Sequence, residues 1–200
     1  MTDRLPPTAD GIARAAAILA AGGLVAFPTD TVYGVAVARS RADRLDALFA
    51  LKRRPAERRI PVLLASIAQA EAAGAVLDDR ARHLAARWWP GPLTLVLPIA
   101  TGETVAFRIP DHDVARALIA AAGPLLATSA NISDEPDTLG ADEVLIAFAT
   151  QQGELDAVVD GGAVPGGVPS TVVDLSDTPA RVLREGPISR AELAALIDLA

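Results

Sequence analysis

Apolar positions along the 200-residue chain fall into two rhythms. Helical spacing at Ile12, Ala15, Ala16, Leu19 and Ala20 predicts an amphipathic helix over 10–21, N-capped by Asp10 and stopped at Gly22-Gly23. Leu45, Leu48, Phe49 and Leu51 repeat the signal over 41–51, with Pro55 beyond it as a breaker. Further helices are predicted over 67–73, 79–88, 113–122, near 142–149 and over 189–199, the last opening on a Ser189/Glu192 capping box. Short apolar runs at 24–27, 61–65, 93–98, 104–109, 124–127, 156–159, 170–175 and 180–183 predict strands, with 93–98 and 104–109 paired across a turn at Gly102. Strands and helices interleave without strict βαβ order. The expected fold is therefore α/β, a twisted mixed parallel and antiparallel sheet flanked by helices, in one domain over 1–200.

Polar residues concentrate where these strands end. The loop PTDTVYG, 28–34, carries Thr31 and Tyr33 just past a strand, where open α/β sheets place ligands, although a turn capped by Thr and Asp uses the same residues. Arg108 interrupts the apolar VAFRIP, so its charge needs either a ligand or a salt-bridge partner. TSANIS, 128–133, opens directly from another strand. Ser170 and Arg184 stand at the last two strands. No serine–histidine–acid set or carboxylate pair accompanies these groups. Cations, hydroxyls and amides suit a polyphosphate and a second reactant, with catalysis by orientation and charge stabilisation. The glycines of 161–167 do not form a phosphate loop, because the lysine and helix that such a loop requires are missing.

Charge sharpens that reading. The net charge is −7, yet FALKRRPAERRIP, 49–61, holds five cations against Glu57 alone. Lys52 is the chain's one lysine among 18 basic residues, and a compact ammonium suits a crowded phosphate site better than a guanidinium fork. A solvated helix end, its cations facing the helix dipole, is the competing explanation. If Lys52 does meet phosphate, Lys52→Arg is expected to cut turnover while leaving the melting temperature unchanged. The absence of cysteine excludes disulfides and thiolate chemistry. His83 and His112 stand far apart without a second histidine at ligand spacing, so no protein-built metal site is expected. Magnesium arriving on phosphates stays open. The N-terminal stretch lacks the order of a signal peptide and no apolar run is long enough to span a bilayer, so a cytoplasmic protein without membrane contact is expected.

PTDTVYG, Lys52-x-Arg54-Pro55, WPGPLT, Arg108 in FRIP, TSANIS, PSTVVD and Arg184-Glu185-Gly186 occur in an order that resembles the YrdC/TsaC family over about 10–188. The resemblance implies a YrdC-like fold with a basic ligand cavity. It also implies a synthase joining L-threonine, bicarbonate and ATP into threonylcarbamoyl-AMP and pyrophosphate, with Mg²⁺ accompanying ATP. A tRNA threonylcarbamoyl transferase complex would then carry the group to adenosine 37, with a weak contact to tRNA itself as a further expectation. By the same resemblance, Lys52, Arg54, Ser129 and Asn131 act on the ATP phosphates. Arg58, Thr104, Thr138, Arg184 and the Ala130 backbone complete the nucleotide site. Thr31, Arg108, Thr128 and Ser170, with Tyr33 beside them, hold threonine, Arg108 facing its carboxylate.

The chain departs from the family pattern at Leu63, where some relatives carry histidine near threonine, at Arg59, where proline is common, and at Asp134, where glycine follows TSANIS. The lack of a carboxy-terminal extension suggests the short, single-domain type. A non-catalytic RNA-binding or ribosome-assembly factor of the same fold is the alternative, and the net negative charge weighs against it.

Overall fold

The computed structural model describes residues 1–53, 60–150 and 155–200. Its elements run β1 (Asp3–Leu5), α1 (Ala9–Ala20), β2 (Val25–Phe27), β3 (Gly34–Ala38), a 3-10 turn (Arg39–Arg44) and α2 (Leu45–Lys52). There follow β4 (Val62–Leu63), α3 (Ile67–Ala72), α4 (Asp79–Trp88), β5 (Leu93–Pro98), β6 (Thr104–Arg108), α5 (Asp113–Ala122) and β7 (Leu125–Ser129). α6 (Ala141–Phe148), β8 (Ala157–Val159), β9 (Thr171–Asp174), β10 (Arg181–Arg184) and α7 (Arg190–Ala194) close the chain.

The described strands form one sheet in the order β1-β8-β2-β3-β7-β4-β6-β5-β9-β10. Pairs β1/β8, β2/β8, β4/β6 and β5/β9 are parallel, and the remaining neighbours antiparallel. The mixed sheet with flanking helices is therefore as expected, and β5 does pair with β6 across Gly102, where φ is +88°. Three apolar clusters cover the faces. One gathers Trp89, Leu93 and Phe107 with α4. A second joins α1 and α5 over Phe27 and Leu125, and a third sets Leu48, Leu51, Val144 and Phe148 against Tyr33 and Val35.

Four local expectations change. Strand β3 falls where no element was predicted: GVAVA is wholly buried, with small residues on both faces, so it shows no alternation for sequence reading to detect. Thr8 rather than Asp10 caps α1, its hydroxyl accepting from Gly11 N at 3.3 Å; Asp10 lies inside the first turn. The helix expected over 41–51 is broken at Arg41 (φ −117°, ψ 41°), whose guanidinium turns to Asp43 at 3.0 Å. Finally, the Ser189/Glu192 capping box forms, but α7 is short. The tail folds back beside Ala180, with Ala200 N donating to Ala180 O at 2.8 Å.

Candidate active site

Register brings the strand-end motifs together. Gly34, at the end of PTDTVYG, pairs with Ser129 of TSANIS, Leu63 pairs with Arg108, and Leu93 of WPGPLT with Thr171 of PSTVVD. The cavity they surround is about 610 Å³. Thr31, Tyr33, Thr104, Arg108, Thr128, Ser129, Ser170 and Arg184, all assigned from sequence, line it.

Arg108 is only 8% exposed. Its Nη2 donates to Asp30 Oδ1 at 2.7 Å and its Nε to Gly91 O at 3.1 Å. Longer bonds of 3.3 and 3.4 Å reach the Thr31 hydroxyl. The choice between ligand and salt bridge thus resolves into a salt bridge on one side of a guanidinium that also borders the cavity. Ser170 and Thr94 share a hydroxyl–hydroxyl bond of 2.8 Å within the same wall. Leu63, the strand partner of Arg108, leaves its own position in the cavity wall apolar.

Lys52 does not line the cavity; it braces the loop behind it. At 1% exposure its ammonium donates to Ser129 O, to Asn131 O at 2.6 Å and to Asn131 Oδ1 at 3.1 Å. Its own carbonyl accepts from Ser133 N at 2.9 Å, so α2 and the loop are tied by both main and side chain. The solvated helix end is excluded by that burial. Asn131 is fixed further by Ser129 Oγ, donating to its Oδ1, and by its own amide, donating to Glu135 O, each at 2.6 Å. Ala130 N donates to Tyr33 O at 2.7 Å, and Thr138 Oγ1 to Ala130 O at 3.0 Å. Asp134 meets the demand usually met by glycine, adopting φ +67°, a region aspartate tolerates better than most residues.

Tyr33 is fully buried and uses its hydroxyl elsewhere, donating to Gly162 O at 2.8 Å and accepting from Gly161 N at 3.2 Å. Arg184 comes from a bulge between Val182 and Arg184 and donates to Ser170 O at 3.0 and 2.8 Å. Gly186 makes that approach possible: a Cβ there would stand 2.3 Å from Pro169 O and 2.4 Å from Thr171 N. Burial, then the charge of Arg108, lowers the pKa of Arg184 from the ordinary guanidinium value, while Asp137 opposes. Arg184 has no ion-pair partner among the described residues, so an anion entering this end of the cavity would relieve two like charges. Arg54 and Arg58, assigned to the phosphates, and Arg59 lie outside the described residues.

Among the polar lining groups that received no role from sequence are Thr29, Asp30, Thr94, Asp137, Asp174 and Arg181. Asp30 and Thr94 stand inside motifs already singled out, and their partners, Arg108 and Ser170, lie 78 and 76 positions away in the chain. Only the fold connects them. Among the described residues no group of three His, Cys, Asp or Glu could hold a metal, and no helix is long and apolar enough to cross a membrane.

Residues 17–186 match the Sua5/YciO/YrdC family model, described as telomere recombination. The threonylcarbamoyl-AMP synthase of Bacillus subtilis is 38% identical over 208 residues, covering 98% of this chain and 59% of the relative. That of Pyrococcus abyssi is 39% identical over 193 residues, covering 92% and 56%. The chain thus spans under three-fifths of the length of either relative. The structure of P. abyssi Sua5 complexed with L-threonine superposes with a TM-score of 0.89 at 34% identity, covering all of this chain and 62% of that one. With the family model matching most of its length and the fold agreeing throughout, the chain belongs to the Sua5/YciO/YrdC family.

Proposed function

We propose that the protein is an L-threonylcarbamoyladenylate synthase, a nucleotidyltransferase. In this reading the threonine amine attacks the bicarbonate carbon, a C–O bond breaks and water leaves, giving a carbamate. A carbamate oxygen then attacks the α-phosphorus of ATP, the bond to the β-phosphate oxygen breaks, and pyrophosphate leaves. The observation that carries the proposal is the placement of Arg108 and the hydroxyls of Thr31, Thr128 and Ser170 in one cavity with Ser129 and Arg184. The first group suits an amino acid's carboxylate and hydroxyl; the second offers donors for phosphate oxygens. The relatives named as threonylcarbamoyl-AMP synthases, and the one bound to L-threonine, support the same assignment.

The protein's share of the chemistry is positioning and electrostatics. Arg108 would orient the threonine carboxylate so that the nitrogen points towards the phosphates. Arg184 and the Lys52-braced loop would meet charge growing on the leaving pyrophosphate. Magnesium would arrive on ATP. Asp137 and the neighbouring hydroxyls are oxygen donors compatible with an ion held chiefly by phosphate and water. The unstable product would pass to a tRNA threonylcarbamoyl transferase complex. Pyrophosphate release with ATP, threonine and bicarbonate, each omitted in turn, tests the reading. Release should require all three, and release indifferent to threonine rejects the synthase.

A further inference from the structure

Arg108 is a long side chain whose use depends on where its guanidinium points. Of its contacts, two are long bonds to the Thr31 hydroxyl, which also lies 3.1 Å from that of Thr29. One is a neutral carbonyl, Gly91 O, at 3.1 Å. The shortest, and the one with a charged partner, is Asp30 at 2.7 Å. Both side chains of this pair are close to buried, 10% exposed for Arg108 and 12% for Asp30.

The two partners face different spaces. Arg108 lines the 610 Å³ cavity, whereas Asp30 lines a smaller one of about 400 Å³ together with Pro90, Gly91 and Pro92. The carboxylate therefore holds Nη2 from behind and does not compete for the side that faces the large cavity. Nη1 spends one long bond on Thr31, leaving its second N–H for a ligand. From this geometry we infer that Asp30 is a positioning residue: it anchors Arg108 from the rear cavity so that Nη1 is aimed at the carboxylate of the amino-acid substrate. The inference rests on the reading of Arg108 as the group that receives threonine.

A charge-assisted hydrogen bond that fixes the guanidinium is worth enough that Asp30→Ala should raise the threonine KM about tenfold or more, with the ATP KM within about twofold of wild type. Asp30→Asn keeps an acceptor of the same length without the charge and should fall between, with a rise of about threefold. Because Asp30 acts through Arg108, the threonine KM of Asp30→Ala/Arg108→Ala should be no higher than that of Arg108→Ala alone. An unchanged threonine KM in Asp30→Ala, or effects of the two substitutions that multiply, overturns the inference. So does tighter threonine binding by Asp30→Asn, which would make Asp30 a mere counter-charge. If Asp30→Ala does not fold, the Asp30→Asn cycle decides on the same terms: its rise must vanish in the Arg108→Ala background. Failure of the underlying reading looks different, since Arg108→Ala alone would then leave the threonine KM unchanged.

Discussion

Two buried cations flank the site, and they are held in opposite ways. Arg108 draws its partners from two loops, a carboxylate at Asp30, a hydroxyl at Thr31 and a carbonyl at Gly91. Among the described residues, the Lys52 ammonium is bonded to oxygens of the loop at Ser129 and Asn131, and Lys52 does not itself line the cavity. The planar guanidinium is braced from one side and can present another side to a ligand. The compact ammonium instead sits at the centre of converging acceptors and shapes the loop that faces the ligand. Each residue type thus suits its position, a fork where one edge must stay usable and a point charge where oxygens must converge.

The largest effect should follow from breaking the first arrangement. Arg108→Ala leaves the Asp30 carboxylate buried without its cation, a change that costs about 3–5 kcal/mol and lowers Tm by roughly 6–20 °C. Threonine affinity should fall by about tenfold to a hundredfold, while ATP affinity holds. Calorimetry with each ligand and thermal denaturation measure the two parts separately. A protein that keeps its Tm would show the Asp30 pair to be energetically idle.

Lys52→Arg comes next and revises the expectation drawn from sequence. At 1% exposure there is no room for a larger head group, so overpacking should cost about 1–3 kcal/mol and lower Tm by roughly 2–12 °C. Turnover should drop as well, because Ser129 and Asn131 move with the ammonium they bind. Loss of turnover with an unchanged Tm would mean that Lys52 acts by ligand contact alone, and the contrast with Arg108 would disappear.

How much of this was legible in the sequence follows from the range of each interaction. The caps of α7 and the β5/β6 hairpin are local, and Ser189, Glu192 and Gly102 announce them. Strand β3 was missed because its small apolar residues are buried on both faces, yet it carries the register that sets Gly34 opposite Ser129. The motifs assigned Thr31, Arg108 and Ser170 to a site, and all three line one cavity. The Asp30 contact to Arg108 spans 78 positions and the Lys52 contact to Asn131 spans 79, so no pattern of neighbours could reveal either. The sequence left Lys52 between a phosphate contact and a solvated helix end, and only the fold shows it buried against the oxygens of Ser129 and Asn131.

The smallest effect belongs to a second arginine–aspartate pair on the cavity wall, which serves as a control for the first. Arg181 Nη2 lies 2.8 Å from Asp174 Oδ2, close to the separation in the Arg108 pair, but the Arg181 side chain is 55% exposed. Solvent screening should reduce the cost of Arg181→Ala to about 0.2–1 kcal/mol, despite the similar distance. Burial pushes the Asp174 carboxyl up, but the Ser176 hydroxyl and N–H, and then Arg181, outweigh it and hold the pKa below the ordinary value. A depressed folded-state pKa contributes stability that is fully present above the unfolded carboxyl value, about 3.9, and is lost as pH falls through the folded value. Removing Arg181 lets the folded value climb part of the way back, with the Ser176 bonds still in place. The variant should therefore be slightly less stable at neutral pH, and the gap should close as Asp174 becomes protonated in both proteins under acid. Urea denaturation across that pH range, at low and high salt, measures the gap. A neutral-pH loss as large as that of Arg108→Ala, or one that widens in acid, would show that exposure does not separate the two pairs.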